Sequence, residues 1–378
     1  MIFPILIICV FYSILILFLS RGFDKLEVPV IDYSNPETYF SILVPFRNEE
    51  KGLPRLLKSI DTLDYHPDRF EIILIDDNSN DGSSNIIQLF KEQHPELNIL
   101  LISKTGNSTS PKKEALNQGI ELASYPWIIT TDADCIVPKN WLNAFDNFIR
   151  LASPKMVVAP VSYEAETGFI HKFQALDFLS LQATTMGVFG LKNHDFVQPF
   201  LCNGANLCYQ KESFVQVNGF QGNEHIASGD DVFLLEKMYA EFPKKVEFLK
   251  SNDAVVLTTS KNTLKELLQQ RVRWASKTVA YKHIFSKLVG VLVFLTNFSL
   301  LTGFFLALNG NIPWLHFGFL FLLKFNIDFV LLYKTAGFFN QKEQMQSYFL
   351  SSLLYPFFTV LVVLLSFKKN YTWKERKY

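Results

Sequence analysis

Two carboxylates one residue apart close the apolar run Ile128-Ile129-Thr130-Thr131-Asp132-Ala133-Asp134. Apolar, β-branched stretches of this kind read as buried parallel strands, and α/β proteins place ligands in the crevice beyond the carboxyl ends of such strands. Asp132 and Asp134 project from the strand tip with no evident cationic partner in sequence. Like charges this close need a cation or a network of donors to neutralise them. A hard divalent ion, Mg²⁺ or Mn²⁺, with oxygen ligands and a substrate diphosphate supplies that.

The elements that would position these acids can be read around them. A second strand, Phe70 to Ile75, ends in Asp76-Asp77-Asn78-Ser79 and a turn through Asp81-Gly82-Ser83. A third, Phe40 to Val44, runs through Pro45-Phe46-Arg47-Asn48-Glu49-Glu50 into a helix with Leu53, Leu56, Leu57 and Ile60 at helical spacing and Pro54 in its first turn. Pro111 starts another amphipathic helix, Lys112-Lys113-Glu114-Ala115-Leu116-Asn117. Strand and helix alternate from 40 to 160, which predicts an α/β fold with a mostly parallel sheet covered on both faces. Further on, Asp230 and Asp231 follow Ser228-Gly229 and precede the apolar helix start Val232-Phe233-Leu234-Leu235. One acid can cap that helix while the other points into a cleft. A helix beginning near Thr263 carries Leu264, Leu267, Leu268 and Val272 as its apolar face, and Arg271 on it reads as a surface or headgroup contact. Phe169, Phe173, Leu176 and Leu179 mark an amphipathic helix with His171 and Lys172 on other faces. It reads as a core helix or as one lying in a membrane interface.

In order along residues 38 to 280 come Val44-Pro45-Phe46-Arg47-Asn48-Glu49, Asp76-Asp77-Asn78-Ser79, Lys112 to Asn117, and Thr131-Asp132-Ala133-Asp134. Asn203-Gly204-Ala205-Asn206, Gly229-Asp230-Asp231 and Gln270-Arg271-Val272-Arg273-Trp274 follow. This series resembles the family 2 inverting glycosyltransferases, which have a nucleotide-diphospho-sugar transferase (GT-A-like) fold. Each motif alone is weak, and seven in the right order are specific. The resemblance implies that the loop Pro45 to Glu49, with Arg47, borders the nucleotide and that Asp77 contacts its base or ribose. Lys112, rather than Lys113, takes the place near the donor diphosphate. The resemblance puts the general base at Asp231, with Asp230 beside it. Asp134 is the expected direct metal ligand, and Asp132 reaches the donor sugar or, through water, the metal. Gln270 and Arg273 would reach the diphosphate, where a planar guanidinium binds phosphate oxygens in pairs. Trp274 would line the acceptor pocket. The donor is a nucleotide sugar, a uridine-diphosphate sugar by preference, and the acceptor a lipid or glycan.

Lys+Arg and Asp+Glu both number 36, so net charge argues for neither nucleic acid nor an acidic polymer as partner. Residues 1–20 carry no charge and are long enough to span a bilayer core of about 30 Å. They read as an anchor, and Arg21 and Lys25 behind it favour a cytoplasmic catalytic domain in a multi-pass cell-membrane protein. Residues 288–367 hold three further apolar segments, Leu288 to Leu308, Trp314 to Leu332 and Ser347 to Phe367. They are read as a C-terminal transmembrane region of two to three helices, with Lys324 and Asp328 paired four apart inside the second. Four full crossings would put the tail from Lys368-Lys369 to Lys377 outside, against the positive-inside tendency, so the last crossing stays open. Lys277, Lys282 and Lys287 suit an anionic cytoplasmic leaflet. The four cysteines, Cys9, Cys135, Cys202 and Cys208, lack zinc-site spacing and read as reduced.

Other classes share parts of this pattern. An acidic pair after a strand also occurs in phospho-acceptor receiver domains and in phosphatases with an Asp nucleophile, but neither explains Gln270-x-x-Arg273-Trp274 or the apolar segments. A non-catalytic membrane scaffold with a degenerate transferase domain would tolerate incompetent side chains at the motif positions, and none is present. Among enzymes, a processive polysaccharide synthase is the alternative to a single transfer.

Overall fold

A computed structural model describes residues 2–30, 32–105, 109–192, 196–222, 229–277, 283–367, 372–373 and 376–377. Ser228, Lys282, Lys368 and Lys369 lie outside the described residues. The chain opens with helix α1 (Ile2–Lys25), followed by β1 (Phe40–Phe46), α2 (Leu53–Asp61), β2 (Phe70–Asp76), α3 (Ser83–Gln93) and β3 (Asn98–Ser103). Then come α4 (Pro111–Leu122), β4 (Trp127–Thr130), α5 (Trp141–Ala152), β5 (Met156–Val158), β6 (Val161–Tyr163) and α6 (Phe169–Phe189). The rest comprises β7 (Leu207–Gln210), α7 (Lys211–Gln216), α8 (Asp230–Glu241), β8 (Val246–Phe248), β9 (Val256–Thr258), α9 (Leu264–Ala275), α10 (Ile284–Leu308), α11 (Trp314–Phe338) and α12 (Tyr348–Ser366). Two compact units result: residues 27–164 with 199–259, and residues 1–26 with 165–198 and 260–378.

The first unit is built on a seven-stranded sheet in the order β3-β2-β1-β4-β7-β5-β8. The strands β3, β2, β1 and β4 run parallel, whereas β7 runs antiparallel to both of its neighbours. The mostly parallel sheet expected from the alternation is therefore present, with one reversed strand. All seven residues of β2 are buried, Glu71 among them. That carboxylate is tolerated because Ser41 Oγ donates to it at 2.6 Å and the Ser124 backbone N–H at 2.6 Å. Helix α2 buries Leu53, Leu56, Leu57 and Ile60, the face its spacing predicts. Chain order turns back at β1: β2 and β3 lie on one side of it and β4 on the other. The carboxyl ends of β1 and β4 thus flank the switch point where α/β sheets open a ligand crevice.

A buried polar knot ties the reversed strand to the core beside it. Asn206, fully buried just before β7, accepts from Trp141 Nε1 at 2.9 Å and donates to the Pro160 and Ala254 carbonyls at 2.8 and 2.7 Å.

The second unit gathers α1, α6 and α9 to α12. Four of its helical segments, Phe3–Lys25, Ile284–Leu308, Trp314–Phe338 and Lys342–Ser366, are long and apolar enough to cross a membrane. Helix α1 continues five residues past the uncharged stretch, through Arg21 and Lys25. Helices α1 and α6 meet backbone to backbone: a Cβ on Gly187 would lie 2.6 Å from the Leu19 carbonyl oxygen, and one on Gly22 or Gly190 would overlap the facing carbonyl. Such contacts suit helices in lipid, where packing of small residues replaces a hydrophobic driving force. Lys324 and Asp328 form the expected pair on α11, Nζ to Oδ2 at 2.5 Å, and the Tyr12 hydroxyl of α1 donates to Asp328 at 2.8 Å. Of the helix around 169–189, Phe173, Leu176 and Leu179 are buried while Phe169 is exposed, and the helix packs among the apolar helices of this unit.

Replacing Asn206 with Leu would strand one indole donor and two carbonyls. At about 1–3 kcal/mol for each buried group left without a partner, the variant is expected to lose at least about 3 kcal/mol. Thermal unfolding of the detergent-solubilised protein, followed by circular dichroism, checks this; an unchanged midpoint would refute the role.

Candidate active site

The turn after β4 carries the paired acids. Strand β4 ends at Thr130, and Asp132 and Asp134 are half-buried beyond it. The expectation that Asp132 lacks a cationic partner is overturned by the structure. Lys112 Nζ, in the first turn of α4, donates to Asp132 Oδ1 at 2.7 Å and stands 3.6 Å from Asp230 Oδ2. Twenty and more residues of separation hid this ion pair from a local reading. Burial disfavours the Lys112 charge, but Asp132, Asp230 and Asp231 outweigh it and hold its pKa well above the ordinary lysine range. Lys113, by contrast, is buried with its ammonium 5.3 Å from the Phe233 ring centroid, in keeping with a structural part.

Asp230 and Asp231 open α8 behind its N-cap residue Gly229, whose φ of +84° lies in the left-handed region that glycine enters without strain. Of the two acids, Asp231 satisfies a first-turn amide, accepting from the Val232 N–H at 2.8 Å, and it also accepts from the Gly204 N–H at 3.2 Å. Gly204 lies among these groups: a Cβ there would be 3.2 Å from Asp230 Oδ2 and 3.7 Å from Lys112 Nζ. Its carbonyl accepts from Thr130 Oγ1 at 2.6 Å, so the last residue of β4 fixes the loop that meets the two acids.

The neighbouring strand tip supplies the rest. Pro45, half-buried near the end of β1, pairs in register with Ile75. Arg47 Nη1 donates to the carbonyls of Asp77 and Asn78 at 2.8 and 3.1 Å, which ties the β1 loop to the β2 loop. Glu49 Oε2 and Asp134 Cα would each lie 3.0 Å from a Cβ on Gly52, so the loop bearing Glu49 runs against the turn bearing Asp134. Asp77 is buried with its Oδ1 3.6 Å from Lys104 Nζ, and Lys104 also donates to Glu114 Oε2 at 2.9 Å. Lys104 was missed by sequence reasoning. A lone cation immediately after β3, in line with the acidic tip of β2, was the signal that could have found it.

Gln270, Arg273 and Trp274 lie on α9 in the second unit. Thr263 caps this helix with Glu266 in a reciprocal capping box. Only Leu267 of the expected apolar face is buried, and Leu264 is exposed. Arg271 is not the surface contact it was read as. It is 5% exposed, and its Nε donates to Asp177 Oδ2 at 2.5 Å. Asp177 comes from α6, elsewhere in the chain, and α12 packs on α9.

The donors gathered here, Asp132 and Asp230 on Lys112 with Asp231 beside them, are carboxylate oxygens, which fit a divalent cation. A different group, Asp61, His94 and Glu96, brings one possible ligand atom from each residue within 4.8 Å of the others. It lies at the carboxyl ends of α2 and α3, near the amino ends of β2 and β3 and so on the opposite edge of the sheet.

Lys112→Met would leave Asp132 and Asp230 facing one another across the site. Loss of a charged hydrogen bond costs about 1.5–3 kcal/mol, so a lower thermal midpoint at pH 7 is expected. The sign of the pH dependence follows from the raised pKa. The stabilisation is complete below the ordinary lysine value of 10.5 and is lost as pH rises towards the folded value, so the gap to wild type should close only above pH 10.5. A gap that closes near neutrality would show that Lys112 is not holding the acids.

Comparison with known proteins accords with this geometry. Residues 41–205 match the Glycosyl transferase family 2 model and residues 127–366 the Glycosyl transferase family group 2 model. Beta-monoglucosyldiacylglycerol synthase of Synechocystis is 29% identical over 107 residues, 28% of this chain and 22% of that protein. Poly-beta-1,6-N-acetyl-D-glucosamine synthase of Staphylococcus aureus is 26% identical over 242 residues, 62% of this chain and 53% of its own length. The chain thus spans between a fifth and about half of the length of these relatives. In structure, it resembles a mannosyltransferase from Pyrobaculum calidifontis, solved with GDP-Man and Mn²⁺, at a TM-score of 0.59 over 93% of this chain and 99% of that one, with 17% identity. That likeness establishes the GT-A-like fold. With well over half of its residues matched by one family model, the chain belongs to glycosyl transferase family group 2 and is a glycosyltransferase.

Proposed function

We propose that this enzyme is a membrane-bound inverting glycosyltransferase that moves a sugar from a nucleotide-diphospho-sugar, preferably a uridine-diphosphate sugar, to a lipid-linked acceptor. The observation that carries the reading is the convergence of Asp132, Asp230 and Asp231 on Lys112 beyond the tip of β4. Residues 38–280 form the catalytic part in this reading, residues 1–20 the anchor and residues 288–367 the C-terminal membrane region, with catalysis on the cytoplasmic side.

In this reading the loop from Pro45 to Glu49 borders the nucleotide and Asp77 accepts from base or ribose donors. The family resemblance assigns Lys112, Gln270 and Arg273 to the diphosphate and Trp274 to the acceptor. Asp134, with Asp132, would hold Mg²⁺ or Mn²⁺, which offsets the negative charge that grows on the departing diphosphate. Asp231 takes the proton of the acceptor hydroxyl as its oxygen bonds to the anomeric carbon and the bond to the diphosphate breaks. One displacement with one base inverts that carbon. Two findings support the donor and the metal: the mannosyltransferase of like fold was solved with GDP-Man and Mn²⁺, and the acids here are oxygen donors only. Four helices able to cross a membrane, and a relative named for a glucosyldiacylglycerol, support the lipid acceptor. The long match to a poly-N-acetylglucosamine synthase favours processive synthesis as the second reading.

The test is mass spectrometry of lipid extracts after membranes containing the enzyme are incubated with labelled nucleotide sugars. A single labelled sugar on lipid is expected; labelled polymer would replace this reading with the processive one. No turnover of any donor would leave a scaffold. In the same assay, Asp134→Ala should abolish transfer without lowering the thermal midpoint, and excess chelator should do the same to wild type. Full activity in chelator would rule the metal out. Asp231→Asn should cut turnover by about 10²–10⁴ while nucleotide binding stays nearly unchanged, and a loss under about tenfold would move the base elsewhere.

A further inference from the structure

Arg271 sits inside the Gln270–Trp274 series yet belongs to none of the roles given to its neighbours. Its guanidinium is buried and touches three groups with three different features. Nε donates to Asp177 Oδ2 of α6 at 2.5 Å. Nη1 donates to the side-chain oxygen of Gln270. Its Cζ lies over the Trp274 indole, 4.3 Å from the ring centroid, and the Phe178 ring approaches the same indole at 6.1 Å between centroids. Tyr355 of α12 stands beside Asp177, where α12 packs on α6. The backbone approach at Gly187 and Gly190 fixes α6 against α1.

From this geometry we infer that Arg271 is a positioning residue. Held by Asp177, it fixes the Gln270 amide by its oxygen and the Trp274 ring by its face, and so sets both side chains for the donor diphosphate and the acceptor. The inference rests on the roles given to Gln270 and Trp274 in the proposed function. A cation needed only to join α6 to α9 could be any cation, since a lysine ammonium also pairs with a carboxylate. The planar fork that binds an amide while stacking on an indole is specific to arginine. Trp274 lies three residues beyond Arg271, where side chains of one helix are neighbours, and the hydrogen bond to Gln270 brings in the residue before it, so a single rigid group holds both at once.

Arg271→Lys separates the two possibilities, because it keeps the charge facing Asp177 and discards the fork and the stacked face. In the full-length enzyme the variant should melt within about 2 °C of wild type, since a shift of that size is below about 1 kcal/mol even for a large domain. Its kcat should nevertheless fall by about 10²-fold, the scale of a misplacement near an ångström. That loss should shrink to less than about threefold when Trp274→Ala or Gln270→Ala is already present, because groups acting through one another do not add. Wild-type kcat in Arg271→Lys would overturn the inference, as would a loss of activity that merely follows a loss of folded protein. Trp274→Ala and Gln270→Ala alone test the underlying reading. If both leave turnover intact, the roles of those residues fail and the inference with them. If both are inactive while Arg271→Lys is not, only the inference fails.

Discussion

Everything in the α/β unit that bears on chemistry depends on how Lys112 is held. Two carboxylates from distant segments, Asp132 after β4 and Asp230 at the start of α8, face its ammonium, and Asp231 beside Asp230 adds its charge. Their separation in sequence means that only the finished fold brings them together, and their mutual repulsion means that the fold must supply the cation. Several local features follow from that constraint. Pro111 sets the first turn of α4, which carries Lys112 beside the tip of β4. Gly204 leaves the space that a side chain would take between Lys112 and Asp230, and Thr130 clamps its carbonyl. Gly229 adopts the left-handed turn that starts α8 with both acids in its first turn.

The sequence was most legible where structure is local. Strands β1, β2 and β4 announced themselves as apolar runs ended by polar turns, and the burial of Leu53, Leu56, Leu57 and Ile60 followed from their spacing alone. The acids at the strand tips were visible because like charges crowd there without an apolar reason. Pairing across the fold was not legible. Lys112 and Asp132 lie twenty residues apart, and Lys104 finds Asp77 and Glu114 only once β2, β3 and α4 are adjacent. The reversal of β7 was also hidden, since Leu207-Cys208-Tyr209-Gln210 is too short for its direction to be read from pattern.

Arg271 shows how residue type can mislead where helix period does not. Arg271 stands seven residues beyond Leu264, four beyond Leu267 and three beyond Leu268, on the side of α9 that the period marks as covered. Leu264, at the start of the helix, is exposed, whereas Leu267 and Arg271 are buried. A charge is tolerated there because α6 brings Asp177 to it.

Two ion pairs of the apolar-helix unit differ in kind from the cluster around Lys112. Lys324 meets Asp328 in the same helix, and Tyr12 adds a neutral donor from α1. Lys334 meets Asp24, and Ser20 accepts from the same ammonium. In both, one cation faces one carboxylate, and a neutral hydroxyl of α1 joins that helix to α11. Such pairs gain from neutrality, because a net charge among apolar helices is expensive. At Lys112 two carboxylates, Asp132 and Asp230, face one ammonium with Asp231 beside them, at the carboxyl edge of a sheet where a crevice is expected. A group meant only to hold the fold would have no use for the additional acids. The proposed function, in which the site receives a diphosphate with its cation and then a proton from an acceptor hydroxyl, calls for carboxylates beyond those that the lysine requires.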